Sequence, residues 1–326
     1  MMNKITIIRI ILSVLGITAL AQEQGPVGAF ASFNRYASAS QASLGTSLLS
    51  TGSATVQFLN PAGMQLLEEN QLSFTYLRLK PNLDQDFMSY AATRRLGEKF
   101  SVGVGGMTYH VGEIEGYNEQ AEFTDYYSLA EWLVNVSLST DMIQPFSVGI
   151  NLKAASLSIK GGEGGLEDMA YGLDYGFIYR HSDIFLIGVS TQSLLTVNDG
   201  ERSLPRLRTS FEADIPIFKS KPAAAFHICG STQSEFNHWT TGFLGLHLKY
   251  PITKAAIPFI NARTPAFLLL SNDPDDNTSR FSAMEEWGLG TGILVELNSG
   301  FKLKLEVAYL DEKYFDQTIT TMEFLY

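Results

Sequence analysis

The sequence predicts an all-β chain folded as a transmembrane antiparallel β-barrel of about 14 strands, with an N-terminal hatch segment. Three observations carry that expectation. From Gln71 onward, alternating runs of about ten residues recur to the end of the chain, the length a tilted strand needs to cross a bilayer. Their connections are mostly short and long by turns, as in barrels with periplasmic turns and outer loops. The final stretch, Gln317 to Tyr326, is an alternating strand that stops on an aromatic residue. A closed barrel needs such a strand to pair with the first, so that no edge remains.

Taken in chain order, the first element is a leader. Met1-Met-Asn-Lys4 is followed by an apolar run from Ile5 to Leu15, and Ala19-Leu20-Ala21 closes it. A basic start, a short apolar core and an A-x-A exit predict a secretory signal peptide over 1–21, cleaved after Ala21. Past it no apolar run approaches the roughly 20 residues of a spanning helix.

Composition narrows the classes further. The chain has 34 acidic and 23 basic residues, a formal net charge of −11, and the leader would remove Lys4 and Arg9. That excludes a basic nucleic-acid surface. One cysteine, Cys229, excludes an intramolecular disulfide framework. Stability must come from buried area or from lipid.

Residues 22–70 form the second region, rich in Ala, Ser and Gly and with little alternation; residues 71–326 form the barrel. The expected strands are 71–80, 87–95, 99–112, 126–140, 145–160, 169–181, 184–195, 206–215, 222–235, 239–250, 255–270, 286–297, 301–310 and 317–326. Short turns fall at 96–98, 141–144, 182–183, 216–221, 251–254 and 298–300. Longer, acidic loops fall at 113–125, 161–168, 196–205 and 271–285. Pro258 and Pro265 make 255–270 irregular, either two short pieces or a kinked strand beside an opening. In the last strand Met322, Phe324 and Tyr326 share one face, and the strand is expected to close against the one near Leu72 to Leu79. Strand period alone leaves a soluble β-sandwich open, since both architectures alternate with the same period.

The stretch before the first strand carries a more specific pattern. Ala42-Ser43-Leu44-Gly45 is followed by Ser53-Ala54-Thr55 and then by Asn60-Pro61-Ala62-Gly63. This layout resembles the N-terminal segment of FadL-like outer-membrane barrels, in particular the PorV/PorQ branch associated with type IX secretion. There an A-x-x-L-G-G element and an acidic turn lead to an N-P-A-G box. Here Gly45 matches the first glycine, Thr46 replaces the second, and Ser53 replaces the acid. Asn60, Pro61, Ala62 and Gly63 match intact. Independently, Asn-Pro favours a turn, with Asn60 extended and Gly63 free to take left-handed angles.

The resemblance implies a hatch inside the lumen, outer-membrane lipid as the surroundings, and both mature termini on the periplasmic side. It implies a part in type IX secretion, handling secreted proteins with C-terminal signal domains and meeting other secretion components. The FadL-like alternative is a route for hydrophobic small molecules. No chemistry competes with these readings. The five histidines lack ligand spacing, and neither a nucleophile elbow nor a phosphate loop occurs. Gly161 to Gly165 reads as a loop tip and Asn272 to Asn277 as a solvated acidic loop. The chain is therefore expected to be neither an enzyme nor a cofactor protein.

Overall fold

The computed structural model describes residues 36–44, 52–80, 84–118, 120–161, 165–182, 185–192, 195–196, 206–218, 221–235, 239–253, 256–269, 287–298, 300–312 and 315–326. The leader, Gly45, Thr46, the 197–205 connection and the acidic run 272–277 lie outside the described residues. A short helix, α1 (Ala39–Leu44), and two 3₁₀ turns, Ala54–Phe58 and Pro61–Leu66, precede the sheet. The wall is then β1 Gln71–Lys80, β2 Gln85–Leu96, β3 Phe100–Tyr117, β4 Phe123–Ile143, β5 Phe146–Lys160, β6 Leu166–Arg180, β7 Phe185–Gln192 and β8 Leu195–Thr196. It continues as β9 Arg206–Phe218, β10 Lys221–Glu235, β11 Trp239–Lys249, β12 Ala256–Leu269, β13 Trp287–Asn298, β14 Phe301–Glu312 and β15 Phe315–Leu325. Segment β8 continues β7 along β6 on one register (Tyr175↔Thr191, then Tyr171↔Leu195), so the two form a single wall strand and the barrel has fourteen.

Every neighbouring pair is antiparallel, and β1 pairs with β15 from Gln71↔Leu325 to Arg78↔Thr318. The sheet closes on itself through β1 and β15, so every wall strand has a neighbour on both sides, which is what a lipid environment demands of backbone N–H and C=O groups.

The direction of the alternation decides the class. On β4, Trp132, Val134, Val136 and Leu138 face out while Asn135, Ser137 and Ser139 face in; Val136 is 60% exposed and Ser137 1%. On β15, Met322 and Tyr326 are exposed, and Thr321 and Glu323 are buried. A soluble sandwich turns its apolar face inward. This barrel turns its apolar face outward and its polar face to the lumen, the arrangement of a barrel in lipid.

Two expectations change, and one alternative is decided. The connection 113–125 is a hairpin, not a loop: β3 and β4 run on, pairing Ile114↔Tyr127, Glu115↔Tyr126 and Gly116↔Asp125. Its β-favouring Ile, Tyr, Phe and Thr residues outweigh the acids between them. Strand β6 begins at Leu166, inside the expected 161–168 loop. Of the two alternatives for 255–270, the structure has the single irregular strand, β12: the register shifts between Gly242 and Phe243, opposite Pro265. Pro258 accepts from Tyr250 N–H at 3.1 Å through its carbonyl, the one backbone group it can offer.

Candidate functional site

The segment preceding β1 lies inside the barrel, with Ala37–Leu44 and Ser53–Gln65 buried. Helix α1 is too short to be stable alone, and its ends are held by side chains. Ser38 Oγ accepts from Gln41 N–H (3.2 Å), and Gln41 Oε1 reaches back to Ala37 N–H (2.9 Å). This is a close variant of a capping box. Two further first-turn donors, which no helix can satisfy internally, bond to the wall. Ala39 N–H donates to Thr321 Oγ1 (2.8 Å) and Ser40 N–H to Glu306 Oε2 (3.1 Å). The Ser40 hydroxyl also donates to Glu306, which pairs with Lys304, and Lys304 reaches Glu323 at 3.2 Å. Farther along, Asn261 donates to Ser43 Oγ (3.1 Å), and the Cys229 thiol to the Leu44 carbonyl (3.8 Å).

The two 3₁₀ turns seat against the opposite wall. Ser53 caps the first by accepting from Thr55 N–H (3.2 Å), a role an acid could also fill. Asn60 caps the second: its Oδ1 accepts from Ala62 N–H (2.9 Å), and Pro61 follows where a missing N–H costs nothing. The Asn60 amide donates to the carbonyls of Phe177 (3.3 Å) and Val189 (3.2 Å). Wall glycines make room for this approach. A Cβ on Gly149 would stand 2.3 Å from Ala62 N and 2.4 Å from Pro61 C; one on Gly176 would stand 2.0 Å from Asn60 Oδ1. Gly63 is needed for space, not for a left-handed φ as its place in a turn suggested: it is not among the residues of positive φ, and a Cβ there would meet Val56 Cγ2 at 2.5 Å.

Beside the turns, Gln57 Oε1 accepts from Asn135 (3.0 Å) and Ser137 (3.1 Å). The network runs on from Asn135 to Asn151 (2.9 Å) and from Asn151 to Asp174 (3.1 Å), which pairs with Lys153 at 2.7 Å. At the short-turn end Gln65 donates to the Ser139 carbonyl (2.8 Å), and Arg180 to the Gln65 carbonyl (3.2 Å). Asn70 exchanges both backbone bonds with Tyr326 (3.1 and 3.0 Å), tying the plug's exit to the end of β15.

Toward the loop end the same wall changes character. Ser73 and Thr75 give way to Leu77 on β1; Ser137 and Asn135 to Leu133 on β4; Asn151 and Lys153 to Ala155 and Leu157 on β5; Glu306 to Ala308 and Leu310 on β14. With Phe87, Met107 and Ile319 these form one apolar cluster, floored by Ala37, Ala39 and Ala42 of the plug. Glu131 and Asp168 also face inward at this level, and β9 to β12 contribute Arg208, Glu212, His247, Asn261 and Arg263. The Arg263 guanidinium lies over the rings of Tyr36 (4.6 Å) and Phe243 (4.9 Å). The interior is thus a polar, plugged tier below an apolar tier with one polar flank. Among the described residues no cluster of three metal-ligating side chains occurs.

Several solved structures share this architecture. The toluene transporter TbuX of Ralstonia pickettii matches with a TM-score of 0.60 and 11% identity, over 89% of this chain and 97% of that one. The CymD monoaromatic hydrocarbon channel gives 0.58 and 13%, over 88% and 97%. A FadL homologue from Pseudomonas aeruginosa gives 0.51 and 9%, over 88% and 96%. The fold is that of the FadL-type outer-membrane barrels. A fold of this kind points to the bacterial outer membrane. No family model and no curated protein matches the sequence.

Within this barrel, Asn60, Pro61, Ala62 and Gly63 sit together against β5 and β6, whereas Met322, Phe324 and Tyr326 lie on the outer face of the last strand. His110 faces outward near the loop end, and Cys229 faces α1. Sequence reasoning missed the α1 anchor. Ser38-Ala-Ser-Gln41 carries an S-x-x-Q capping signature that was available to find. Nothing local marks Glu306, which pairs with a residue 266 positions away.

Proposed function

We propose that this protein is an outer-membrane channel for small hydrophobic molecules, with residues 1–21 removed as a leader and 22–70 acting as its hatch. The observation that carries the reading is the apolar tier above a polar plug. A lumen built only for water-soluble solutes has no use for Leu77, Phe87, Leu133 and Leu157 lining one level. Several barrels of this fold are named as hydrocarbon channels or toluene transporters, which supports the same substrate class. The short turns, the Pro61–Leu66 turn and Tyr326 gather at one end, which we assign to the periplasm together with both mature termini.

In this scheme a ligand enters between the loops, leaves water for the apolar tier, and moves on when the plug yields. The test is binding of toluene and of a fluorescent apolar probe to the detergent-folded barrel, with uptake into proteoliposomes. Leu157→Gln should weaken binding about tenfold, the cost of placing one amide in an apolar site. Unchanged affinity in that variant, or no saturable binding in the wild type, would remove the reading.

A second reading rests on Asn60 to Gly63 and the small-residue segment before it, which resemble the PorV/PorQ branch. In it the barrel serves type IX secretion and meets proteins bearing C-terminal signal domains. Deleting the gene in its own host separates the two. Loss of such proteins from the cell surface with apolar uptake intact favours secretion, and the reverse favours transport.

A further inference from the structure

The β3–β4 hairpin stands above its neighbours. Pairing of β3 with β2 ends at Gln85↔Val111, followed by Gly112 N–H to the Asp84 carbonyl (3.1 Å), and pairing of β4 with β5 ends at Ser128↔Lys160. Beyond those points no described strand pairs with the outer edge of Glu113–Tyr117 or of Phe123–Asp125; on the β4 side Gly161 lies against Tyr126 and Tyr127, where a Cβ would meet the Tyr126 carbonyl at 2.2 Å. The tip is ordered: Asn118 Oδ1 accepts from Gln120 and Glu122 N–H (3.0 and 2.9 Å), and its amide donates to Glu122 (3.0 Å).

Aromatic surface is concentrated here. Tyr117, Phe123 and Tyr126 are 56%, 51% and 49% exposed, with ring centroids 6.2 Å and 5.1 Å apart. From Gly112 to Ser128 the sequence has five acids and no Lys, Arg or His. Lipid does not explain these rings, because the acids share the same short strands and the hairpin rises past the paired wall. A divalent ion does not explain the acids either. Glu115 is engaged by the Tyr117 hydroxyl and Glu122 by Asn118, and no cluster of three ligating side chains forms among the described residues.

We propose that this hairpin is a docking arm for a cationic, extended polypeptide segment. Unpaired strand edges accept an added strand through backbone bonds. Ring faces attract lysine and arginine heads, and carboxylates flank the same sites. The charge selects against anionic partners, as like charges on an approaching surface repel. This arm is separate from the lumen, and the proposal stands whichever solute the channel carries.

The experiment uses the full barrel folded in detergent and a fluorescein-labelled peptide of about 12 residues alternating Lys and Thr, long enough to span one hairpin edge. A Glu-Thr peptide is the control, and anisotropy reads binding. The expected result is saturable binding of the Lys peptide alone, weakened about tenfold or more between low and high salt. Glu113→Gln/Glu115→Gln/Glu122→Gln/Asp125→Asn and Tyr117→Ser/Phe123→Ser/Tyr126→Ser should each weaken it about tenfold. Both sets should leave apolar-probe binding and heat-modifiable gel mobility unchanged. A third variant, with 113–126 replaced by a tight glycine turn, keeps the test decisive if either set fails to fold. Equal binding of the Glu peptide, retained affinity in the shortened barrel, or displacement of the peptide by stoichiometric calcium would each overturn the proposal.

Discussion

Between Thr75 and Leu77 on β1, and between Asn135 and Leu133 on β4, the inner wall passes from polar to apolar within one pleat. Below that line the wall and the plug hold each other through hydrogen bonds, as at Gln57 with Asn135 and Ser137 and at Gln65 with Ser139. Above it, on β1 to β5 and β14, the wall meets Ala37, Ala39, Ala42 and Phe58 of the plug and neighbouring apolar side chains, with the polar flank formed by Glu131, Asp168 and β9 to β12. Two kinds of stability follow. In the lower tier a lost partner strands a buried polar group, so single changes are costly. In the upper tier the same exchange changes what the lumen will hold more than whether it folds. Lower-tier variants should therefore report on assembly and upper-tier variants on ligand.

The largest effect is expected where the plug touches backbone. Gly149→Val places side-chain atoms against Ala62 N and Pro61 C, neither of which can swing aside. Overpacking alone costs about 1–3 kcal/mol, and here the Pro61–Leu66 turn must also leave its seat, stranding the Asn60 and Gln65 hydrogen bonds to the wall at about 1–3 kcal/mol each. The expected outcome is a barrel that unfolds at lower urea concentration and a 52–70 segment newly open to protease. Wild-type protection in that variant would mean the box is not wedged where it is placed here.

Next comes Glu306→Ala. It removes the acceptor for Ser40 and one partner of Lys304, leaving a buried cation with Glu323. Breaking a buried ion pair typically costs about 3–5 kcal/mol, measurable as a lowered urea midpoint of the detergent-folded barrel. Glu306→Gln keeps an acceptor for Ser40 and should restore part of the loss. Equal loss in both variants would assign the effect to charge alone and leave α1's anchoring unsupported.

The contrast between tiers also explains what could be read beforehand. Strand positions follow from a period-2 pattern carried by consecutive residues, so thirteen of the fourteen wall strands lie close to their expected places, with end shifts of a few residues. The exception has a local cause: the β3–β4 hairpin at 113–125 was hidden by its acids. At β12 the expected 255–270 lies within one residue of the observed ends, and a register shift opposite Pro265 and the Pro258 carbonyl accommodate the two prolines. Asn60 and Pro61 were legible because their turn is local. The partners of the plug were not. Glu306 and Ser40, or Asn60 and the Phe177 carbonyl, meet only after the barrel closes, and spacing along the chain carries no trace of them.

The smallest effect expected sharpens the comparison most, because it uses a neighbouring lysine on the same strand. Lys302, two residues before Lys304, pairs with Glu69 where the plug leaves the lumen, and both side chains stay about one-third exposed. Water and salt screen that pair, and exposed ion pairs contribute at most about 1 kcal/mol. Lys302→Ala should shift the urea midpoint slightly and lose even that shift in high salt, whereas Glu306→Ala should keep its effect there, since buried charges are screened far less. Two ion pairs on one strand then separate by depth alone. If both variants cost the same, or both lose their effect with salt, the lower lumen is wetter than the plug contacts describe, and the Lys304–Glu306 site holds α1 no more firmly than a surface pair would.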